Sequence, residues 1–244
     1  MFSNFFGSNK KSFKTTIKVD LHSHLIPGID DGVRTIEESI SILRKFENLG
    51  FKKVITTPHV MGDFYKNTPE IIRSGLIEVQ EAVDKENINI EISAAAEYYL
   101  DEYFIKILKS DEEILTLPGN YLLFELPYIN QPIHMDEAIF IMQSQGYKPV
   151  LAHPERYQYY QGKLDKLVAL REKGIYMQLN LNSIIGYYSR PVEKMAKNMI
   201  RKNIVDFVGS DVHNLRHAEL LEKSLETKLI RKLNSPYLKN NSLL

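Results

Sequence analysis

The chain contains no cysteine, which excludes disulfides, thiolate-ligated zinc and a cysteine nucleophile for any phosphoryl chemistry. It has no charge surplus either: 31 basic side chains balance 31 acidic ones, so no global field draws it to nucleic acid or an anionic membrane. No stretch reaches the roughly 18 uninterrupted apolar residues of a spanning helix, and no signal-peptide-like apolar core stands near the start. A cytoplasmic protein without a transmembrane segment is the expectation. Low-complexity linkers and internal repeats are also lacking, so residues 15–233 read as a single domain. Before it lies an aromatic and basic arm, 1–14, expected to pack on the domain; after it, 234–244 reads as a polar, frayed tail.

What the sequence does contain is a rhythm. Apolar, β-rich runs recur at 16–21, 53–57, 90–96, 121–126, 149–152, 175–180 and 205–210. Stretches of helical spacing separate them, such as Ile36, Ile40, Leu43 and Phe46, or Val192, Met195, Ala196, Met199 and Ile200. Thr35 with Glu38 forms a capping box at the start of the first helix. Strand and helix alternate about every 30 residues, the pattern of parallel βαβ units with right-handed crossovers. The expected class is α/β, a single-domain barrel of seven strands, and 244 residues suffice to fill it.

In such a barrel the working residues stand at the C-terminal ends of the strands. The first end carries His22 and His24, then Asp30-Asp31; the second carries His59; the third Glu97; the fourth Glu125; the fifth His153, Glu155 and Arg156. The sixth offers only Asn180 and Asn182, and the seventh carries Asp211 and His213. Residues i and i+2 of a strand share a face, so His22 with His24, and Asp211 with His213, can each close on one ion. Five of the seven histidines stand at these ends, with carboxylates in equivalent places. Imidazole and carboxylate together suit manganese, zinc or iron rather than magnesium or calcium. Eight or nine ligands exceed what one ion of about four to six coordination uses, so two or three divalent ions with a bridging carboxylate are expected. The residues alone do not choose between Asp30 and Asp31.

The opening His22-Ser23-His24-Leu25-Ile26-Pro27-Gly28-Ile29-Asp30-Asp31-Gly32 resembles the PHP (polymerase and histidinol phosphatase) superfamily. Within it, the opening is most similar to the bacterial capsule and exopolysaccharide tyrosine-protein phosphatases of CpsB/CapC type. Thr57-Pro58-His59, Ala96-Glu97-Tyr98-Tyr99, His153-Pro154-Glu155-Arg156 and Ser210-Asp211-Val212-His213-Asn214 fit the same group. The resemblance implies a distorted (β/α)7 barrel over about 16–220, with a metal site at the C-terminal ends of its strands. It assigns His22, His24, Glu97 and Asp211 to one metal, Glu97, Glu125 and His153 to a second, and Asp31, His59 and His213 to a third. Manganese is the first choice, with zinc or iron as alternatives.

Arg156 is the candidate to hold phosphate in its planar fork, and Arg216 or Arg190 the candidate second clamp. Tyr98, Tyr99, Tyr157, Tyr159 and Tyr160 are candidates to line a phosphotyrosine cleft or to pack loops. His134 and His217 match no ligand position and are expected on helix surfaces. The implied activity is metal-dependent hydrolysis of phosphotyrosine by a metal-bridged hydroxide, without a phosphoenzyme. The implied substrate is a phosphotyrosine protein, a bacterial tyrosine kinase of capsule or exopolysaccharide synthesis. A small-molecule phosphomonoesterase of the histidinol phosphatase kind and a non-catalytic kinase-docking module are the alternatives, and oligomerisation is left open.

Overall fold

The computed structural model describes residues 14–233 and 238–244, so the expected N-terminal arm lies, apart from Lys14, outside the described residues. Nine strand segments appear: β1 (Val19–Asp20), β2 (Lys53–Thr56), β3 (His59–Val60), β4 (Glu91–Ala94), β5 (Glu97–Tyr99), β6 (Tyr121–Glu125), β7 (Lys148–Leu151), β8 (Tyr176–Asn180) and β9 (Phe207–Gly209). All pair in parallel, in the orders β1-β2-β4 and β3-β5-β6-β7-β8-β9. Thr57 and Pro58 interrupt one barrel strand between β2 and β3, and Ala95 and Ala96 interrupt the next between β4 and β5. Pro58 has no N–H for the ladder, yet its carbonyl accepts from Glu97 N–H at 3.1 Å, so the two broken strands stay in register. Seven barrel strands result, at the positions of the seven apolar runs.

Helices α1 (Ile36–Leu49), α2 (Pro69–Lys85), α3 (Glu102–Leu108), α4 (Met135–Ser144), α5 (Leu164–Glu172), α6 (Arg190–Arg201), α7 (Leu215–Leu225) and α8 (Lys228–Leu233) follow in chain order. The capping box at α1 forms with a shift. Thr35 Oγ1 accepts from Glu38 N–H, but the Glu38 carboxylate returns to Arg34 N–H rather than to that of Thr35. The stripe Val192, Met195, Ala196, Met199 and Ile200 is the buried face of α6, as its spacing predicts. Inside the strands a second apolar cluster forms around Val19, Leu21, Ile55, Leu123, Val150 and Phe207. No helix among the described residues is long and apolar enough to cross a membrane.

The barrel is closed by a seam that is not a ladder, because β1 is only two residues long. At the upper end Ser23 bridges Val212, and Asp211 N–H donates to His22 O at 2.7 Å. Midway, Ser210 N–H and Oγ–H donate to the two oxygens of buried Asp20 at 2.7 and 2.8 Å. At the lower end the Asn240 amide donates to Val19 O and Val208 O at 2.9 and 2.7 Å and accepts from Val208 N–H at 2.9 Å. This corrects the expectation of a frayed tail for its described part, 238–244. Unpaired backbone groups in the barrel wall must be satisfied, and an amide carries both donor and acceptor. Asn240 is therefore fully buried, and Leu243 joins the apolar cluster inside the strands.

Candidate metal centre

A cavity of about 290 Å³ opens at the C-terminal ends of the strands. All nine predicted ligands line it except His22 and His24, which lie fully buried in contact with Glu97 and Asp211. Glu97 stands at the centre. Its Oε2 is 3.0 Å from His22 Nε2, 3.5 Å from His24 Nε2 and 3.3 Å from His59 Nδ1, while its Oε1 is 3.1 Å from His153 Nε2. Asp211 Oδ1 is 3.5 Å from both His22 Nε2 and His24 Nε2 and 3.4 Å from His213 Nδ1. Glu125 faces His153 at 3.5 Å, and Asp31 faces His213 and His59 at 3.4 and 3.6 Å.

Neighbouring side chains fix the ring tautomers. His22 Nδ1–H donates to Gln178 Oε1 at 2.9 Å, and His24 Nδ1–H donates to Asp30 Oδ2 at 2.7 Å. Both Nε2 atoms are thereby turned inward, 3.4 Å from each other. This separates the two acids that sequence left together. Asp30 also accepts from Gly32 and His59 N–H and acts as a brace, whereas Asp31 points at two imidazoles.

Without cations the cluster is electrostatically frustrated. Burial is the strongest influence on His22 and lowers its pKa, yet Glu97 and Asp211 together raise it to about 9. Burial acts likewise on His24, and Asp30 foremost lifts it well above the ordinary imidazole value. Burial and then the charge of Glu97 push Glu125 up to about 8, while burial and then Arg156 push His153 down to about 4. The buried Nδ1 atoms of His153 and His59 have no hydrogen-bond partner, although Glu97 stands beside the latter. Inward-facing lone pairs, clustered carboxylates and unpartnered ring nitrogens form a donor set that fits divalent cations. Donor atoms within 4.8 Å of one another fall into four overlapping groups: His24, Asp31, His59 and His213; His22, His24 and Asp211; His22, Glu97 and His153; His59, Glu97 and Glu125. His22, His24 and His59 thus each face two groups, where the sequence expectation gave each to one.

The backbone at two of these residues is strained. His153 has φ 32° and Asp211 φ 50°, a left-handed region that costs L-residues roughly 1–2 kcal/mol and is tolerated mostly at functional sites.

Arg156 lines the cavity and donates to Asp211 Oδ2 at 2.7 Å. Arg216 does not join it, being exposed in the first turn of α7, and Arg190 lines a separate cavity with Lys194 and Asn198. Of the five tyrosines expected at a cleft, Tyr99 lines the cavity. Tyr98 and Tyr157 are buried, with their hydroxyls bonded to backbone, and Tyr159 and Tyr160 pack against each other. Tyr65 and Tyr128 line it instead, for which the sequence carried no signal beyond their place in loops after strand ends. His134 is on the surface as expected. His217 is half-buried against the site, its ring 5.8 Å from that of His213 and its Nδ1 3.4 Å from Asp211 O, which corrects the surface expectation.

A profile of the family described as capsular polysaccharide synthesis, CpsB/CapC, matches residues 18–241. The tyrosine-protein phosphatase YwqE of Bacillus subtilis is 28% identical over 198 residues, covering 81% of this chain and 78% of that protein. The tyrosine-protein phosphatase CpsB of Streptococcus agalactiae is 27% identical over 203 residues, covering 81% and 83%. Among solved structures, one described under YwqE of B. subtilis and CpsB of Streptococcus pneumoniae, metal-dependent tyrosine phosphatases, superposes with a TM-score of 0.78. It is 27% identical and covers 91% of this chain and 94% of its own. A histidinol phosphate phosphatase of Lactococcus lactis shares the fold at TM-score 0.50 and 15% identity, covering 86% and 94%. The match spans the barrel from its first strand to the asparagine that closes the seam, and the chain belongs to the CpsB/CapC family of capsular polysaccharide synthesis.

Proposed function

We propose that the protein is a metal-dependent protein-tyrosine phosphatase. His22, His24, Asp31, His59, Glu97, Glu125, His153, Asp211 and His213 would hold two or three divalent ions, manganese first, with zinc or iron as alternatives. The observation that carries the reading is Glu97, fully buried, with each of its oxygens facing different imidazoles. When bound, divalent cations supply Lewis acidity and lower the pKa of water, effects commensurate with the very slow uncatalysed hydrolysis of phosphate monoesters.

The chain's own residues do the rest. Arg156 offers its free N–H groups to the charge on the phosphoryl oxygens. Tyr65, Tyr99 and Tyr128 give the cavity aromatic walls suited to a phenyl ring. A phosphocysteine is excluded by composition, and the buried imidazoles are turned toward carboxylates rather than toward an incoming phosphorus. A phenolate leaves readily, so the reaction asks little of a general acid. In this reading the protein works in the cytoplasm on a phosphotyrosine protein, a bacterial tyrosine kinase of capsule or exopolysaccharide synthesis, and the match to a capsular polysaccharide synthesis family supports it.

The test is hydrolysis of a phosphotyrosine peptide and of histidinol phosphate by protein stripped of metal and reloaded with manganese, zinc or iron. Preference for the peptide, abolished in the His22→Ala/Glu97→Ala double variant, is expected. Unchanged activity in that variant, or turnover of histidinol phosphate alone, overturns the proposal.

A further inference from the structure

Arg156 is held between two tyrosines from distant parts of the chain. Its guanidinium carbon lies 4.3 Å from the ring centroid of Tyr188 and 4.8 Å from that of Tyr128. Tyr128 follows β6, whereas Tyr188 stands in the connection between β8 and α6. One N–H of the guanidinium, at Nη1, is spent on Asp211 Oδ2. The Tyr188 hydroxyl lies 3.4 Å from that same oxygen, which also accepts from Asn180 Nδ2 at 2.6 Å. Asp211 is therefore two-faced: Oδ1 looks to the imidazoles, and Oδ2 to Arg156, Asn180 and Tyr188.

A free arginine side chain has many rotamers, and a ligand that must order it binds more weakly. Two ring faces and one carboxylate order this one in advance, and the side chain still keeps 21% of its surface exposed at the cavity. Resting on the phosphatase reading above, we infer that Tyr188, with Tyr128 opposite, is a positioning residue that holds Arg156 ready for the phosphoryl group. Neither tyrosine donates to the reacting atoms. Tyr188 is the cleaner probe, because the Tyr128 ring also stacks on that of His153, 5.9 Å away.

Inorganic phosphate is the probe, titrated by calorimetry into the manganese-loaded protein, so that the result does not depend on turnover. Tyr188→Leu should weaken phosphate binding about tenfold, and Tyr188→Phe, which keeps the ring, by less than twofold, with the metal content of both unchanged. In an Arg156→Lys background, Tyr188→Leu should add less than twofold, because the residue it serves is gone. Wild-type phosphate affinity in Tyr188→Leu, equal losses in Phe and Leu, or full additivity with Arg156→Lys would each overturn the inference. Should Tyr188→Leu not fold, Tyr188→Met, unbranched and also without a ring, carries the same expectations. Absence of phosphotyrosine hydrolysis by the wild type would sink the phosphatase reading while leaving the clamp to be judged by the titration.

Discussion

Replacing Gln178 by leucine should disturb two imidazole-bearing residues at once. Gln178 is fully buried in β8, the one barrel strand that ends without a histidine or carboxylate candidate. Its Oε1 accepts from His22 Nδ1–H at 2.9 Å and from His153 N–H at 3.2 Å. Its Nε2 donates to Asn180 Oδ1 at 2.9 Å, and Asn180 passes the chain on to Asp211. Leucine fills a similar volume but leaves both donors and the Asn180 Oδ1 acceptor unpaired, at about 1–3 kcal/mol each. Once neutral, above about pH 9 in the metal-free protein, His22 has an escape: moving its one proton from Nδ1 to Nε2 relieves the unpaired donor and lets it bond Glu97 instead.

That escape turns the lone pair away from the cation site. The stability loss should therefore stay at about 2–6 kcal/mol, the share of His153 N–H and Asn180 Oδ1, while metal affinity falls by about 10–100-fold, as expected when a ligand loses its orienting partner. Urea unfolding of the metal-free variant above about pH 9 measures the first, and calorimetric titration with manganese the second. Metal affinity within twofold of wild type, beside a stability loss above about 6 kcal/mol, would refute the tautomer argument and leave Gln178 a plain structural residue.

A Cβ on Gly209 would fall 2.5 Å from the Cβ of His22 and 2.8 Å from Gln178 Nε2, so Gly209→Ala should cost about 1–3 kcal/mol and lower metal affinity as well. Unfolding and metal titration of that variant check both, and a neutral effect on each would contradict the packing. His22, at about 9 in the folded metal-free protein against an ordinary value of 6.5, contributes stability that is full below pH 6.5 and lost as pH rises through about 9. Glu125, raised to about 8 from 4.5, acts in the same sense. The urea midpoint of metal-free protein should therefore fall between pH 6.5 and 9, with a smaller fall after metal loading; a rise over that interval would show the cluster to be charged otherwise. Asn240→Ala leaves two carbonyls and one N–H of the seam unpaired and should lower stability by about 3 kcal/mol or more, read by urea unfolding.

The strands were legible because a strand buried on both faces must be an apolar run, and the candidate ligands because a parallel barrel brings the ends of its strands to one mouth. His22 and Asp211, which the family resemblance assigned to one metal, stand 189 positions apart in sequence yet 3.5 Å apart in space. What stayed hidden depends on contacts that no local pattern encodes. Gln178 is an uncharged amide inside a strand, and its importance comes from a ring 156 residues away. Asp30 and Asp31 differ only in which way a turn directs them, and that is decided by His24 Nδ1 and the backbone N–H of His59.

Asn240 shows the same limit from the opposite side. A polar tail reads as solvated, since composition registers the cost of burying an amide but not the presence of three backbone groups waiting for it. The need arises because β1 is too short to form a ladder with β9, a property of a strand at the other end of the chain. His22 and His24 follow β1, and Asp211 and His213 follow β9, so the two pairs face each other across that seam. The hydrogen bonds of Asn240 at its lower end and of Ser210 midway therefore bear on the spacing of the donor atoms at its top. The residues that close the barrel belong to the physical account of the metal centre as much as the residues that face it.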